Sequence, residues 1–274
     1  MEADAGHVTE IVRKGDPDRY LSVLYAPEDK RAALLALYAF NVEVSRVRDA
    51  ISEPLPGEIR LQWWRDMIAA PTEAVTGNPV ADGLRRAIDE YELPRAAFDN
   101  MLEARIFDLY DDPMPDRTSL EGYCGETAGA LIQLASLVLE PESAVAHASL
   151  AGHAGCAQAI AGMLRLLPLH RARSQCYVPA DILAAAGTDR ETLLGRGEGA
   201  ERAVAAMIAL GREHLAHFER GAEGMPPSLR PAYLPAALAG TQLDRVAAAP
   251  LEGGRPVPVA RKHWIMLRRA ARGW

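Results

Sequence analysis

A chain of 274 residues, 49% hydrophobic and 24% charged, has enough apolar mass for a sizeable core and enough charge for a soluble surface. Its net charge of −7 and its low aromatic content, 6%, argue against nucleic acid as a partner, because both a basic footprint and base-stacking platforms are lacking. Cys124, Cys156 and Cys176 are an odd set without C-x-x-C spacing; they indicate neither a disulfide framework nor a cysteine zinc site and fit a reducing compartment.

The opening MEADAGHVTEIVRKGD carries acids and lacks an apolar stretch, so neither a secretory signal nor a transit peptide is expected there, and a cytoplasmic location is. Pro27-Glu28-Asp29 opens a helix, as a first-turn proline followed by acids, and Leu34, Leu35, Tyr38, Val42 and Ser45 at 3–4 spacing carry it through Asp49. LPGEIRLQWWRDMIAAP (55–71) predicts the next helix. Further helices are expected at about 79–92, 95–110, 118–140, 143–167, 200–220, 232–248 and 258–271, separated by Pro, Gly and Asp clusters, with GRGEGAER (195–202) as a loop. The most apolar run, 143–164, is long enough to span a bilayer. Its Ala and Gly content, with His147, His153 and Gln158, predicts instead a buried helix of a soluble bundle. Strand patterns, internal repeats and low-complexity linkers are absent, so the expected fold class is all-α, one domain over 1–274.

Several residue groups have chemistry to weigh. Ser45 and Asp49 at i,i+4 are expected to share a helix face, with Tyr38, Asn41 and Glu43 just upstream. Magnesium takes oxygen ligands, usually one or two carboxylates with phosphate and water. A single Asp49 beside Arg46 and Arg48 suits an arginine-paired surface carboxylate better. His214 and His217, next to Glu213, lack an H-E-x-x-H pattern and a third ligand, and are expected to be solvated on a helix face. Asp108, Asp111 and Asp112, in FDLYDDPMPD, fall where a helix ends before two prolines. Turn aspartates are expected there, and these are the other candidates for a cation. G-x-S-x-G, P-loop and G-x-G-x-x-G motifs are absent. RPVPVARKHWIMLRRAARGW (255–274) has six basic residues, no acid, and an apolar stripe of Trp264, Leu267 and Ala271. It suits either anionic lipid or a partner surface, or a last helix docked on the bundle with its arginines in water. Between Ser143 and Ala180 there is no Asp or Glu, and RLLPLHRARSQCYVP (165–179) holds three arginines, a histidine and no carboxylate.

PEDKRAALLALYAFNVEVSRVRD, QWWRD, FDLYDD through LEGYCGETAGALI, and GCAQAIAGMLRLLPLHRARSQCYVP together resemble the squalene/phytoene synthases, the all-α head-to-head prenyltransferases, over Tyr20 to Trp264. The resemblance implies an isoprenoid-synthase-like helical bundle around a central cavity, with two aspartate motifs that hold diphosphate through magnesium. In this chain Ser45 and Arg46 stand where the leading aspartates of the first motif belong, leaving Asp49. Leu166 and His170 stand where both aspartates of the second belong, while Arg165, Arg173, Tyr177 and Pro179 keep the register. Ionising an allylic diphosphate needs metal to stabilise the departing pyrophosphate. No catalytic residue, metal or other cofactor is therefore expected.

A narrower resemblance is to the complex I assembly factor 6 branch of the superfamily, in which F-N-V-E, a K/R-D-x-x-S-E run and L-R-x-x-P-x-H … P-x-D-I replace the catalytic motifs. Asn41, Glu43, Asp49, Ser52, Glu53, Arg65, Arg165, Pro168, His170, Pro179 and Asp181 occupy such positions. It implies a non-catalytic protein, located in the cytoplasm or peripheral to the inner membrane. Its implied partners are subunits or assembly intermediates of respiratory complex I (NADH:ubiquinone oxidoreductase). Ligand-binding candidates are Tyr38, Asn41, Glu43, Asp49, Arg65, Arg165, His170, Arg173 and Tyr177. Two alternatives stay open. One is a divergent Mg²⁺-dependent prenyltransferase using Asp49, Glu43 and Asp108 or Asp111/Asp112. The other is an isoprenoid or lipid carrier with Arg165, Arg171 or Arg173 near the headgroup.

Overall fold

A computed structural model describes residues 2–51, 53–71 and 75–274. Among them every regular element is helical. No described helix is long and apolar enough to cross a membrane. The chain forms two compact units, each from separated segments: 1–110 with 130–148 and 225–234, and 111–129 with 149–224 and 235–274.

The first unit is built on the helix Glu28–Ser45, whose Leu34, Leu37, Tyr38, Phe40 and Val42 are all buried. Its run of Ala and Leu is apolar on nearly every side, and such a helix belongs inside a bundle. Helices Glu2–Gly15, Pro79–Glu90 and Ala130–Leu139 cover it. Gly15 allows the first of these to close on Val42, whose Cγ1 lies only 2.5 Å from where a Cβ would stand. QWWRD turns out to be a packing device: Trp64 meets Phe40 edge-to-face at 5.0 Å, and Phe40 meets Phe98 at 5.7 Å. This fixes helix Pro54–Ala69 and helix Arg95–Ile106 to the centre. Asn78 accepts from the Val80 and Ala81 amides and, with Pro79, starts the helix Pro79–Glu90 as capping chemistry requires.

The second unit is organised around helices Ala148–Arg165 and Ala200–Gly221. Small residues set their spacing. Gly155 abuts the backbone of Gly129, and Gly211 packs on Ile160 and Leu243. Gly129 closes a π-helical turn, Gly125–Gly129, after the helix Arg117–Cys124, and Thr127 within it donates its hydroxyl to the Tyr123 carbonyl at 2.6 Å.

Several boundaries depart from the periodicity. The helix over 28–49 stops at Ser45 and gives way to a 3₁₀ turn, Val47–Ala50. The expected 143–167 helix is two, Pro141–Ala146 and Ala148–Arg165, broken at His147, whose Nδ1 turns back to the Ser143 carbonyl at 2.7 Å. The 118–140 stretch contains the π turn, 95–110 ends as a 3₁₀ turn Phe107–Leu109, and 232–248 begins with a 3₁₀ segment, Leu234–Leu238, before the helix Ala239–Ala247. Periodicity also misses Glu2–Gly15, where Val8 and Val12 are the buried contacts among many charges, and Pro17–Val23.

Candidate functional site

The first-motif residues lie in the first unit. Because the helix ends at Ser45, Ser45 and Asp49 do not share one helix face. Ser45 donates its hydroxyl to the Val42 carbonyl at 3.2 Å, and Arg46 caps the helix and reaches the Gly15 carbonyl at 3.3 Å. Asp49 sits exposed in the 3₁₀ turn, its amide on the Arg46 carbonyl. Tyr38 is deep in the core, with the Arg19 guanidinium over its ring at 5.8 Å, and burial pushes its hydroxyl up to about 12. Arg19 is itself ion-paired with Asp16.

Asn41 belongs to a buried polar chain. Its Oδ1 accepts from Arg105 at 3.5 Å, and Arg105 pairs with Asp108 at 3.0 Å. Asp108 lies in the 3₁₀ turn Phe107–Leu109, as a turn aspartate, and is buried there as the partner of Arg105. Glu43 is half-buried, and burial pushes its carboxyl up against the opposing pull of Arg60 and His7. Arg65 bridges two helices through Asp99, at 3.3 Å, and Glu103. Glu53 caps the helix Pro54–Ala69, and Ser52 lies outside the described residues.

The second-motif residues lie in the second unit. Arg165 ends its helix exposed, Leu166 is the break, and Pro168 restarts the chain as the short helix Leu167–Ala172. Gly253 lies directly beneath this break, 2.3 Å from the Arg165 carbonyl at the place a Cβ would take, in a left-handed turn with φ +70° that glycine accommodates. His170 is buried. Its ring lies 4.7 Å from that of Tyr177, which in turn lies 6.1 Å from Tyr123. Where the family pattern has a carboxylate, this chain has the end of an aromatic row.

The loop beyond is tied down by Arg190, which donates to the Ser174 carbonyl at 2.6 Å and the Asp111 carbonyl at 3.0 Å. Arg173 closes the short helix as its cap. Pro179 and Asp181 form the next anchor: the Ala180 amide donates to the Met114 carbonyl, and Asp181 accepts from the Arg117 amide at 3.1 Å. Asp111 and Asp112 are exposed. Among the described residues no three His, Cys, Asp or Glu side chains are placed to hold a metal ion.

One cluster was not legible in the sequence. His214, expected in solvent, is buried; its Nε2 lies 3.0 Å from Glu121 Oε1 and its Nδ1 lies 3.0 Å from His153 Nδ1. Glu121 also accepts from Arg117 at 2.7 Å, and Arg117 reaches Glu213 at 2.8 Å. His217 stays exposed and stacks on His153 at 5.0 Å. Burial raises the Glu121 carboxyl, but the bonds from Arg117 and His214 outweigh it and hold it below its usual range. An ionised Glu121 accepts from His214 Nε2–H, so the network assigns the proton on the other bond to His153. Burial, together with His214 and His217, holds the His153 imidazole below its ordinary value. Spacing within Arg117–Glu121 and His214–His217 gave no sign that these helices meet.

The family described as squalene/phytoene synthase matches residues 12–263. The mouse protein named NADH dehydrogenase (ubiquinone) complex I, assembly factor 6 is 31% identical over 229 residues, covering 82% of this chain and 68% of that one. Phytoene synthase of Thermus thermophilus is 29% identical over 228 residues, covering 79% and 75%. A crystal structure of a dehydrosqualene synthase in complex with ligand shares the fold at a TM-score of 0.84, with 18% identity over 98% of this chain and 96% of that one. With the family pattern matched across both units and the all-helical fold shared end to end, the chain belongs to the squalene/phytoene synthase family.

Proposed function

We propose that this chain is a non-catalytic member of its family that serves as an assembly factor or binding module for respiratory complex I, working in the cytoplasm or at the membrane surface. One observation carries the reading: carboxylates are replaced in register at both motifs, while the arginine and aromatic positions around them are kept. The likeness to the mouse assembly factor supports it. Among the described residues of the two motifs, the magnesium that the family's chemistry implies meets no set of oxygen donors that fits it. Ser45's hydroxyl is engaged by its own helix, Asp49 is one exposed carboxylate in a turn, Leu166 has no donor, and the His170 ring packs on Tyr177. Magnesium prefers oxygen, and an apolar side chain and an imidazole are poor substitutes. We further take residues 1–274 as one domain in function, since the family pattern spans both units.

The test is affinity capture of the tagged chain from native membranes. Subunits of NADH:ubiquinone oxidoreductase are expected with it, and a capture without them refutes the reading. In parallel, the purified chain with Mg²⁺ and farnesyl or geranylgeranyl diphosphate is expected to show no turnover.

A second reading, a divergent prenyltransferase, is favoured by the likeness to the Thermus phytoene synthase. Condensed product at an ordinary enzymatic rate in that assay would establish it and remove the first.

A further inference from the structure

The helix Val259–Arg272 carries two apolar stripes. One, with Met266 at its centre and Ala270 beside it, faces the second unit; Met266 is fully buried. Arg269 anchors this side by pairing with Glu219 at 2.7 Å, and Trp274 meets Phe218 edge-to-face at 5.0 Å. The other stripe is Ala260, Trp264, Leu267 and Ala271, at i, i+4, i+7 and i+11, which one helix face brings into line. All four are exposed, Trp264 at 65% and Leu267 at 50%. Alongside runs a second exposed row, Arg261, Arg268 and Arg272, also at i, i+7 and i+11. A helix that only docked on the bundle would leave arginines in water, as this one does; it would have no use for a solvated Trp-Leu stripe beside them.

Charge selects the occupant. Residues 253–274 hold six Lys and Arg and no acid, against −7 for the whole chain, leaving −13 on the rest. The helix therefore carries charge opposite in sign to the net charge of the rest of the chain, and an anionic plane attracts it. Trp and Leu beside Arg, on a helix with low overall hydrophobicity, suit the boundary between headgroups and acyl chains. We propose that Val259–Arg272 is an interfacial helix that seats the chain on an anionic bilayer, with Trp264 and Leu267 entering the headgroup boundary and Arg261, Arg268 and Arg272 binding lipid phosphates.

Flotation of the full chain with phosphatidylcholine vesicles, with and without phosphatidylglycerol, tests this. Binding is expected with the anionic vesicles, weaker with neutral ones, and falling as salt rises. Arg261→Gln/Arg268→Gln/Arg272→Gln is expected to weaken anionic binding by on the order of 100-fold, from the surface attraction of three cations. Trp264→Ser/Leu267→Ser is expected to abolish retention at high salt while leaving the helical circular dichroism unchanged, since both side chains are already in water. Equal binding to both vesicle types, or full retention by the Trp264/Leu267 variant, overturns the proposal. So does a result in which that variant turns a dimer into a monomer without altering flotation, because the stripe then serves a second copy.

Discussion

Gly155→Ala tests whether the glycine contact in the second unit sets where the second motif stands. A methyl at Gly155 would lie 2.3 Å from the Gly129 nitrogen, 2.5 Å from its Cα and 2.9 Å from the Ala128 carbonyl carbon. Ordinary contact begins at 3.4 Å, so the π turn and helix Ala148–Arg165 have to separate by about 1 Å. All three obstructing atoms are backbone, and no rotamer change relieves them. Overpacking costs about 1–3 kcal/mol, and rigid backbone on both sides puts this case near the top. Alanine returns about 1 kcal/mol of helix propensity. The net loss is about 2 kcal/mol, a fall in Tm of roughly 4–8 °C for a chain of this size. Gly152 and Gly162 are internal controls on the same helix, since nothing lies within 4 Å of a Cβ at either. Gly152→Ala and Gly162→Ala should each raise Tm by roughly 2–4 °C, from propensity alone. Thermal unfolding followed by far-UV circular dichroism reads all three. A Gly155→Ala protein as stable as wild type, or indistinguishable from the controls, refutes the close contact.

Asp108→Asn leaves the Arg105 guanidinium without its buried carboxylate and is expected to cost about 3 kcal/mol by urea unfolding. Arg65→Ala removes pairs whose acids, Asp99 and Glu103, are about two-thirds exposed, and is expected to cost under about 1 kcal/mol by the same measurement; the opposite ranking would contradict the burial that distinguishes them. The histidine cluster predicts a pH effect with a definite sign. His153 is held below the ordinary histidine value among Arg117, Glu121, Glu213, His214 and His217, so the unfolded chain takes up its proton first. Its contribution is fully present above the unfolded value near pH 6.5 and is lost as pH falls below it. Glu121, held low, adds its own loss further down, through the carboxylate range. The drop in urea midpoint just below pH 6.5 should shrink in His153→Gln, and matching profiles for mutant and wild type would exclude the assignment.

What the sequence carries and what it leaves unstated divide along physical lines. Element type is legible because Leu34, Leu37, Tyr38 and Val42 repeat with the helix whatever packs on them. The breaks at Ser45 and His147 are not. One depends on where Arg46 finds the Gly15 carbonyl, the other on a side chain returning to its own backbone, and neither leaves a Pro or Gly as a mark. The same holds for chemistry. That Leu166 and His170 stand where the resemblance to the synthases expects aspartates is visible as letters. That His170 has become the end of an aromatic row with Tyr177 and Tyr123 depends on the loop that carries Tyr177 meeting the distant helix Arg117–Cys124. His214 and Glu121 are 93 residues apart, so spacing rules built for one helix face cannot join them.

This difference bears on function. At His170 the replacement is packed against Tyr177, and at Asp108 a carboxylate is committed to Arg105. The His170 substitution therefore makes a structural contact of its own, as the non-catalytic reading proposed above requires at this position.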